Sequence, residues 1–285
     1  MLNWQVGDVT ISRIVELEMS SPYSTKHPFI PDATPERMRE PSWLQPHFVT
    51  PEGNLNTSIH ALLVDAPGLK LVVDTCIGND RPRRILAKRP LALPFLDRFA
   101  ESGWKPSDVN AVVCTHLHVD HVGWNTMLVD GKWTPTFPNA RYLIGRREFE
   151  HWTAEGEGET KDILADSVQP IFEAGLAHLV EMDHRISNEI RLMPTPGHTP
   201  GHVSVVIESK DQRAIITGDL MHHPCQIAHP DWCAAFDSNQ PAAQATREQF
   251  LRDVSDTNTL VIGTHFTAPT AGHVVKDGDA YRLVS

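Results

Sequence analysis

The sequence predicts an α/β layered sandwich in one domain, with two sheets packed together and helices on their outer faces. Three observations lead there. Short apolar, β-branched runs recur along the whole chain, and a few helix-patterned segments interrupt them in both halves. No low-complexity linker or short-period repeat divides the 285 residues. A chain of this length buries roughly 75% of its unfolded surface, which gives it a full core.

Taken in order, residues 8–17 alternate as a strand, and so do 57–65 and 69–76, with Ala66-Pro67-Gly68 reading as a hairpin turn between the latter two. From Pro22 to Pro51 the chain carries seven prolines and the aromatics Tyr23, Phe29, Trp43 and Phe48. That density excludes a long helix or central strand and predicts an ordered, extended loop over residues 22–51, which either caps the pocket or embraces a second copy in a homodimer. A short helix is expected at 93–102, followed by a buried strand at 109–115. Further strands are expected at 141–145, 177–182, 189–193, 202–208, 213–218 and 260–264, with helices at 146–153, 161–174 and 241–254. The runs Arg81-Pro82-Arg83-Arg84 and Glu155-Gly156-Glu157-Gly158-Glu159 read as solvated loops.

Composition narrows the function. Thirty-six acidic against 25 basic residues give a net charge of −11, which argues against nucleic acid as a partner because phosphate binding needs a basic stripe. The opening Met1-Leu2-Asn3-Trp4-Gln5 lacks a signal-peptide pattern, and no apolar run approaches the ~20 residues of a membrane span. A soluble cytoplasmic protein is expected. Four cysteines (Cys76, Cys114, Cys225, Cys233) without a Cys-x-x-Cys pair predict free thiols. Sixteen histidines are the feature that needs an account.

The strand at 109–115 runs into Thr115-His116-Leu117-His118-Val119-Asp120-His121. On extended chain, residues i and i+2 point the same way, so His116 and His118 can grip one ion, while Asp120 and His121 lie past the strand end and can face a second. Imidazole nitrogen and carboxylate oxygen suit zinc and related divalent ions. Three further strand ends offer comparable candidates. They are His198 in Pro196-Gly197-His198-Thr199-Pro200-Gly201-His202, Asp219 after Thr217-Gly218, and His265 after Gly263-Thr264. Each alone also reads as a turn or cap residue.

The string His116-x-His118-x-Asp120-His121, followed by His198, Asp219 and His265, resembles the metallo-β-lactamase-fold hydrolase superfamily over about residues 55–270. The resemblance implies a four-layer αββα sandwich with two divalent metal ions, zinc foremost and Mn, Fe or Co as substitutes. It implies that His116, His118 and His198 hold one ion, that Asp120, His121 and His265 hold the other, and that Asp219 bridges them. Asp74 matches an early Asp that supports a ligand from behind and reads equally well as a turn cap. Two ions roughly 3.5 to 4 Å apart lower the pKa of a shared water toward about 7, which makes hydrolysis the implied reaction, with Asp120 orienting the water or taking its proton. With two dications bound, the net charge of −11 would fall to −7.

Within the superfamily, the aromatic N-terminal loop, His121-Val122-Gly123-Trp124 and Gly218-Asp219-Leu220-Met221-His222 are most similar to the lactonase and organophosphate-hydrolase branch. That branch implies an ester or lactone substrate with phosphotriester side activity. The lactonases commonly carry Tyr where this chain has His222, a departure; His222 can instead donate a hydrogen bond to an oxyanion. Phe29, Phe48, Trp124, Phe236 and Phe266 are candidate pocket walls, His202 a supporting hydrogen-bond partner, and His60 a sheet residue. The alternative is an iron-dependent, sulfur dioxygenase-type oxidoreductase on the same fold, against which the full second-ion set speaks.

Overall fold

The computed structural model describes residues 1–285 and shows fifteen strands and seven α-helices. The chain opens with β1 (Asn3–Val6), β2 (Val9–Ser21), the one-turn α1 (Pro35–Met38), β3 (Leu55–Ala66), β4 (Leu69–Val73), α2 (Phe95–Glu101) and β5 (Ala111–Cys114). A hairpin of β6 (Thr126–Val129) and β7 (Lys132–Pro135) leads to β8 (Arg141–Gly145), α3 (Arg146–Glu155), α4 (Glu159–Ile163), α5 (Gln169–Glu173) and β9 (Ala177–Val180). The remainder is β10 (Ile190–Pro194), β11 (Val203–Ser209), β12 (Gln212–Ile216), α6 (Cys225–Ala228), α7 (Gln240–Val254), β13 (Thr259–Ile262), β14 (Ala271–Asp277) and β15 (Ala280–Val284).

One sheet has the order β1-β2-β3-β4-β5-β8-β9 and the other β10-β11-β12-β13-β14-β15. Alternation along the strands explains the layers. Leu71, Val73, Ala111 and Val113 face Val205, Ile207, Ala214 and Ile216 between the sheets. The intervening Val72 and Val112 pack outward on Phe95, Phe99 and Ile171, whereas Val206 and Ile215 pack outward on Phe250, Leu251 and Val254 of α7. Two-sided burial of this kind makes the αββα sandwich. No helix is long and apolar enough to cross a membrane.

Most expected elements are present, with three differences. The strands β1, β6, β7, β14 and β15 carry too weak an apolar alternation to stand out. The helix expected at 161–174 is α4 and α5 joined by a wider π turn over 164–168, next to Pro170, which lacks an N–H to continue a regular ladder. Of the two charged runs, the acidic one is solvated as expected, with Glu155 and Glu157 exposed, whereas the basic one is structural. Arg81 and Arg83 are buried and converge on one oxygen of Asp166 at 3.3 and 2.6 Å, with Arg81 also lying 3.9 Å from the centre of the Trp133 ring. Arg84 alone is exposed, and its backbone N–H donates to Glu159 at 2.5 Å. A local reading fails here because Asp166 lies some eighty residues from its arginines. All four cysteines are free; three are buried and Cys233 is partly so.

The proline-rich arm 22–51 packs on its own chain. Ile30, Ala33, Met38, Leu44, Phe48 and Val49 join the core outside the second sheet. His223 ties it down: its Nε2–H donates to the Phe48 carbonyl at 2.8 Å, and its Nδ1 accepts from the Cys225 N–H at 3.0 Å. The bond accepted at Nδ1 needs the neutral ring, and burial pulls its pKa from 6.5 to about 4. Between those values the unfolded chain binds the extra proton, so this contribution to stability is present above pH 6.5 and is lost as pH falls toward 4. Denaturant unfolding of the wild type and His223→Gln across this window should show a shallower pH slope in the variant, by up to about 1.4 kcal/mol per pH unit. Parallel slopes would remove His223 from this role.

Candidate metal centre

Four chain segments leave the C-terminal ends of β5, β10, β12 and β13 and meet where the two sheets adjoin. Buried carboxylates hold them. Glu148 on α3 accepts from the Leu117 N–H at 3.2 Å and the Trp152 Nε1–H at 2.6 Å with one oxygen. Its other oxygen accepts from the Thr199 hydroxyl at 2.8 Å and the Gly201 N–H at 2.9 Å. It thereby joins the His116–His121 and His198 segments. Gly201 has to be glycine, because a Cβ there would lie 2.4 Å from the Glu148 nitrogen. Glu16, the extra residue of a bulge in β2, accepts from Ile77 N–H, Gly78 N–H and Trp124 Nε1–H at 2.7 to 3.0 Å and pins the turn beyond His121. Burial raises the pKa of both acids above the usual range, with their hydrogen-bond donors opposing it.

All seven residues expected as metal ligands come together. Donor atoms of His116, His118, His198 and Asp219 lie within 4.8 Å of one another, and so do those of Asp120, His121 and His265. Asp219 lies between the groups. Its Oδ2 is 3.6 Å from His116 Nε2 and 3.3 Å from His198 Nε2; its Oδ1 is 3.2 Å from His121 Nε2 and 3.1 Å from His265 Nε2. Asp120 reaches toward His121 and His265 at 3.7 and 3.6 Å.

The outer ring nitrogens decide what the inner ones offer. His121 Nδ1 faces Asp74 at 2.9 Å, His198 Nδ1 faces Asp237 at 2.9 Å, and His265 Nδ1 faces the Ser58 carbonyl at 3.0 Å. These partners only accept, so each Nδ1 carries the hydrogen. The Thr115 hydroxyl gives its hydrogen to Asp74 and accepts from His116 Nδ1 at 3.1 Å. With the rings neutral, four Nε2 lone pairs are aimed inward, beside His118 Nδ1, which lies 2.9 Å from His198 Nε2. Asp219 Oδ1 is buried without a hydrogen bond. Converging lone pairs around a buried carboxylate repel one another unless cations sit among them, so the donor set fits two divalent ions.

The charges agree. Burial holds His116 and His198 well below the ordinary imidazole range and brings His118 to about 4, so these rings are neutral. At His121 and His265 burial is outweighed by Asp219 and its neighbouring carboxylates, which raise both. That is the signature of a place that attracts positive charge. Asp74 therefore acts behind His121, one of its two sequence readings. His202 accepts from the Asp219 N–H at 2.7 Å and also contacts Thr195, a supporting partner as expected.

A cavity of about 620 Å³ opens over this cluster, lined on one side by His118, Asp120, Asp219, His222 and His265. Of the five aromatics expected as walls, Phe29 and Phe236 line it. Trp124 instead stacks on Phe95 in the core, and Phe48 and Phe266 pack on each other under the arm. Trp152, Met19, Ile59, Val119, Ile85 and Ile163 supply the rest of the apolar wall and are not signalled by any local motif. His222 is 1% exposed, 3.3 Å from Asp219 Oδ2, and neither ring nitrogen has a protein hydrogen-bond partner. His60 is buried in β3 with one nitrogen on Ser58 and the other unpaired.

The metallo-beta-lactamase superfamily model matches residues 56–274, and the chain belongs to this superfamily of metal-dependent hydrolases. It is similar to an N-acyl homoserine lactonase of Bacillus cereus, 25% identical in an alignment that covers 67% of this chain and 74% of that protein. It is also similar to a probable metallo-hydrolase, YybB, of Bacillus subtilis, 30% identical over 47% of this chain and 58% of that one. Among solved structures, AidC, described as a dizinc quorum-quenching lactonase in complex with a homoserine product, superposes with a TM-score of 0.79 at 21% identity, over 99% of this chain and 96% of that one. The hydrolase AbOPH superposes with a TM-score of 0.81 at 23% identity, over the same shares.

Glu148→Gln tests the support of the cluster. The amide cannot accept at its nitrogen, so two of four buried donors lose their partner, at about 1–3 kcal/mol each. Denaturant unfolding should show a loss of about 2–6 kcal/mol together with reduced bound metal. A variant with wild-type stability and metal content would show that Glu148 does not hold the two segments.

Proposed function

We propose that this chain is a dinuclear-metal hydrolase of carboxylic esters or lactones. The observation that carries the reading is the division of donors around Asp219, one oxygen toward His116 and His198, the other toward His121 and His265. His118 completes the first set and Asp120 the second. When bound, two divalent ions supply Lewis acidity toward a carbonyl oxygen and acidify water near neutral pH.

The protein's own residues then have distinct tasks. Asp120, side chain 16% exposed at the cavity floor, orients the attacking water and accepts its proton. His222, with no protein partner for either ring nitrogen, donates a hydrogen bond to the oxygen on which negative charge develops. Phe29, Phe236, Trp152 and Ile163 hold the apolar body of the substrate and exclude water from it. The wall favours a neutral ester or lactone over a multiply charged compound. The relatives named as lactonases support the lactone choice, and phosphotriesters are a proposed side activity.

His118→Ala should lower hydrolysis of an activated aryl ester more than a hundredfold, beyond the about 10–100-fold typical of losing a ligand's outer partner. Full activity in that variant would show that the assigned cluster is not the active site. His222→Phe should lower kcat by about 10²-fold, the scale of one lost oxyanion donor, with two zinc ions per chain retained by elemental analysis. A panel of lactone, aryl ester, β-lactam and phosphotriester substrates ranks the classes. One iron per chain with oxygen consumption would overturn the hydrolase reading.

A further inference from the structure

We infer that Asp237 is the positioning residue for the ion held by His116, His118 and His198, acting through His198, as Asp74 does for the other ion through His121. The inference rests on the dinuclear reading above. Asp237 belongs to none of the sequence motifs and lies on an irregular loop between α6 and α7. Its side chain is 1% exposed, and both oxygens are occupied: Oδ1 accepts from His198 Nδ1–H and Oδ2 from the Ala234 N–H, each at 2.9 Å.

The loop is seated on the ligand segment by its backbone. Ser238 N–H donates to the His198 carbonyl at 2.9 Å and Asn239 N–H to the Gly197 carbonyl at 3.0 Å. A Cβ at Gly197 would lie 2.3 Å from the Ala243 nitrogen, so the approach of α7 to this loop leaves no room for adjustment. The carboxylate is therefore fixed behind the ring and not a mobile surface acid that happens to lie near it.

Comparison of the four outer partners makes the role specific. Two are neutral, the Thr115 hydroxyl behind His116 and the Ser58 carbonyl behind His265. Two are carboxylates, Asp237 behind His198 and Asp74 behind His121. Each donor set thus contains one imidazole backed by a negative charge, which fixes the tautomer and makes the inner nitrogen a stronger donor. The neighbouring Phe236 places its ring 5.8 Å from His198 and 5.0 Å from His222, so the loop supplies both a pocket wall and the support of a ligand.

Zinc titration of chelator-stripped protein against a competing chromophoric chelator tests this. The wild type should bind two equivalents; binding fewer would overturn the dinuclear reading and this inference with it. Asp237→Asn keeps the shape but loses the charge and one acceptor. In a His265→Ala background, which leaves the first donor set, it should weaken the remaining equivalent about 10–100-fold. In a His118→Ala background, which leaves the second set, it should change the remaining equivalent by less than about threefold. If two equivalents bind to the wild type and Asp237→Asn changes neither background, or weakens both alike, the inference fails while the dinuclear reading stands. A measurement without substitution covers the case of a misfolded variant: imidazole-labelled, zinc-loaded wild type should show a protonated, slowly exchanging Nδ1 at His198 by nitrogen–proton NMR. An unprotonated Nδ1 there overturns the assignment.

Discussion

The carboxylate of Asp219, buried between two groups of inward-facing imidazoles, governs how the segments around the centre are placed. Its position is set from several directions. Gly218 adopts a left-handed φ of +55°, and a Cβ there would lie 2.5 Å from the His202 ring. His202 accepts the Asp219 N–H, and Arg247, buried on α7, donates to the Leu220, Pro230 and Trp232 carbonyls that follow. A buried carboxylate has to be balanced by positive charge, and Asp219 with its neighbouring carboxylates raises His121 and His265 toward their charged forms. A divalent cation bound there would take over that balance, and its affinity would then add to the stability of the loaded protein.

Other buried acids serve the same arrangement by accepting donors from loops that would otherwise move independently. Glu16 takes three N–H groups from two turns, Glu148 four donors from two ligand segments and its own helix, and Asp166 the guanidiniums of Arg81 and Arg83. In each case a carboxylate from one element satisfies polar groups of another, where an apolar side chain would leave buried N–H groups unpaired. The strands set the layers; these acids set the loops, and the loops carry the chemistry.

This division explains what could be read from the sequence. The layers follow from strand periodicity, and the ligands from residue types with strict spacing after apolar strands, so the cluster from His116 to His265 was legible. Asp74 and His202 were legible only as alternatives, since an Asp beyond a strand or a His near a glycine turn has several ordinary explanations. Glu148, Asp237 and Asp166 were not legible, because each acts on residues thirty to eighty-five positions away and looks locally like any surface acid. The pocket aromatics divided for the same reason: nothing near Trp124 in sequence shows that its ring stacks on Phe95 while Trp152, one helix further on, faces the cavity.

The wall of the pocket is not independent of the centre beneath it. The arm contributes Phe29, whose carbonyl accepts from the Ala235 N–H at 3.0 Å, directly beside Phe236. Arg37 of the same arm lies 4.2 Å from the centre of the Trp232 ring, and His223 fastens the Phe48 end. All these contacts land on residues 219–237, which also carry Asp219, His222 and Asp237. In the hydrolase proposed above, a substrate resting on Phe29 and Phe236 would be positioned by a segment already in register with the donor atoms. Preorganisation of that kind would favour placement of a reacting group over the donor atoms. It also makes the proline-rich arm, a segment with little secondary structure, part of the cavity wall.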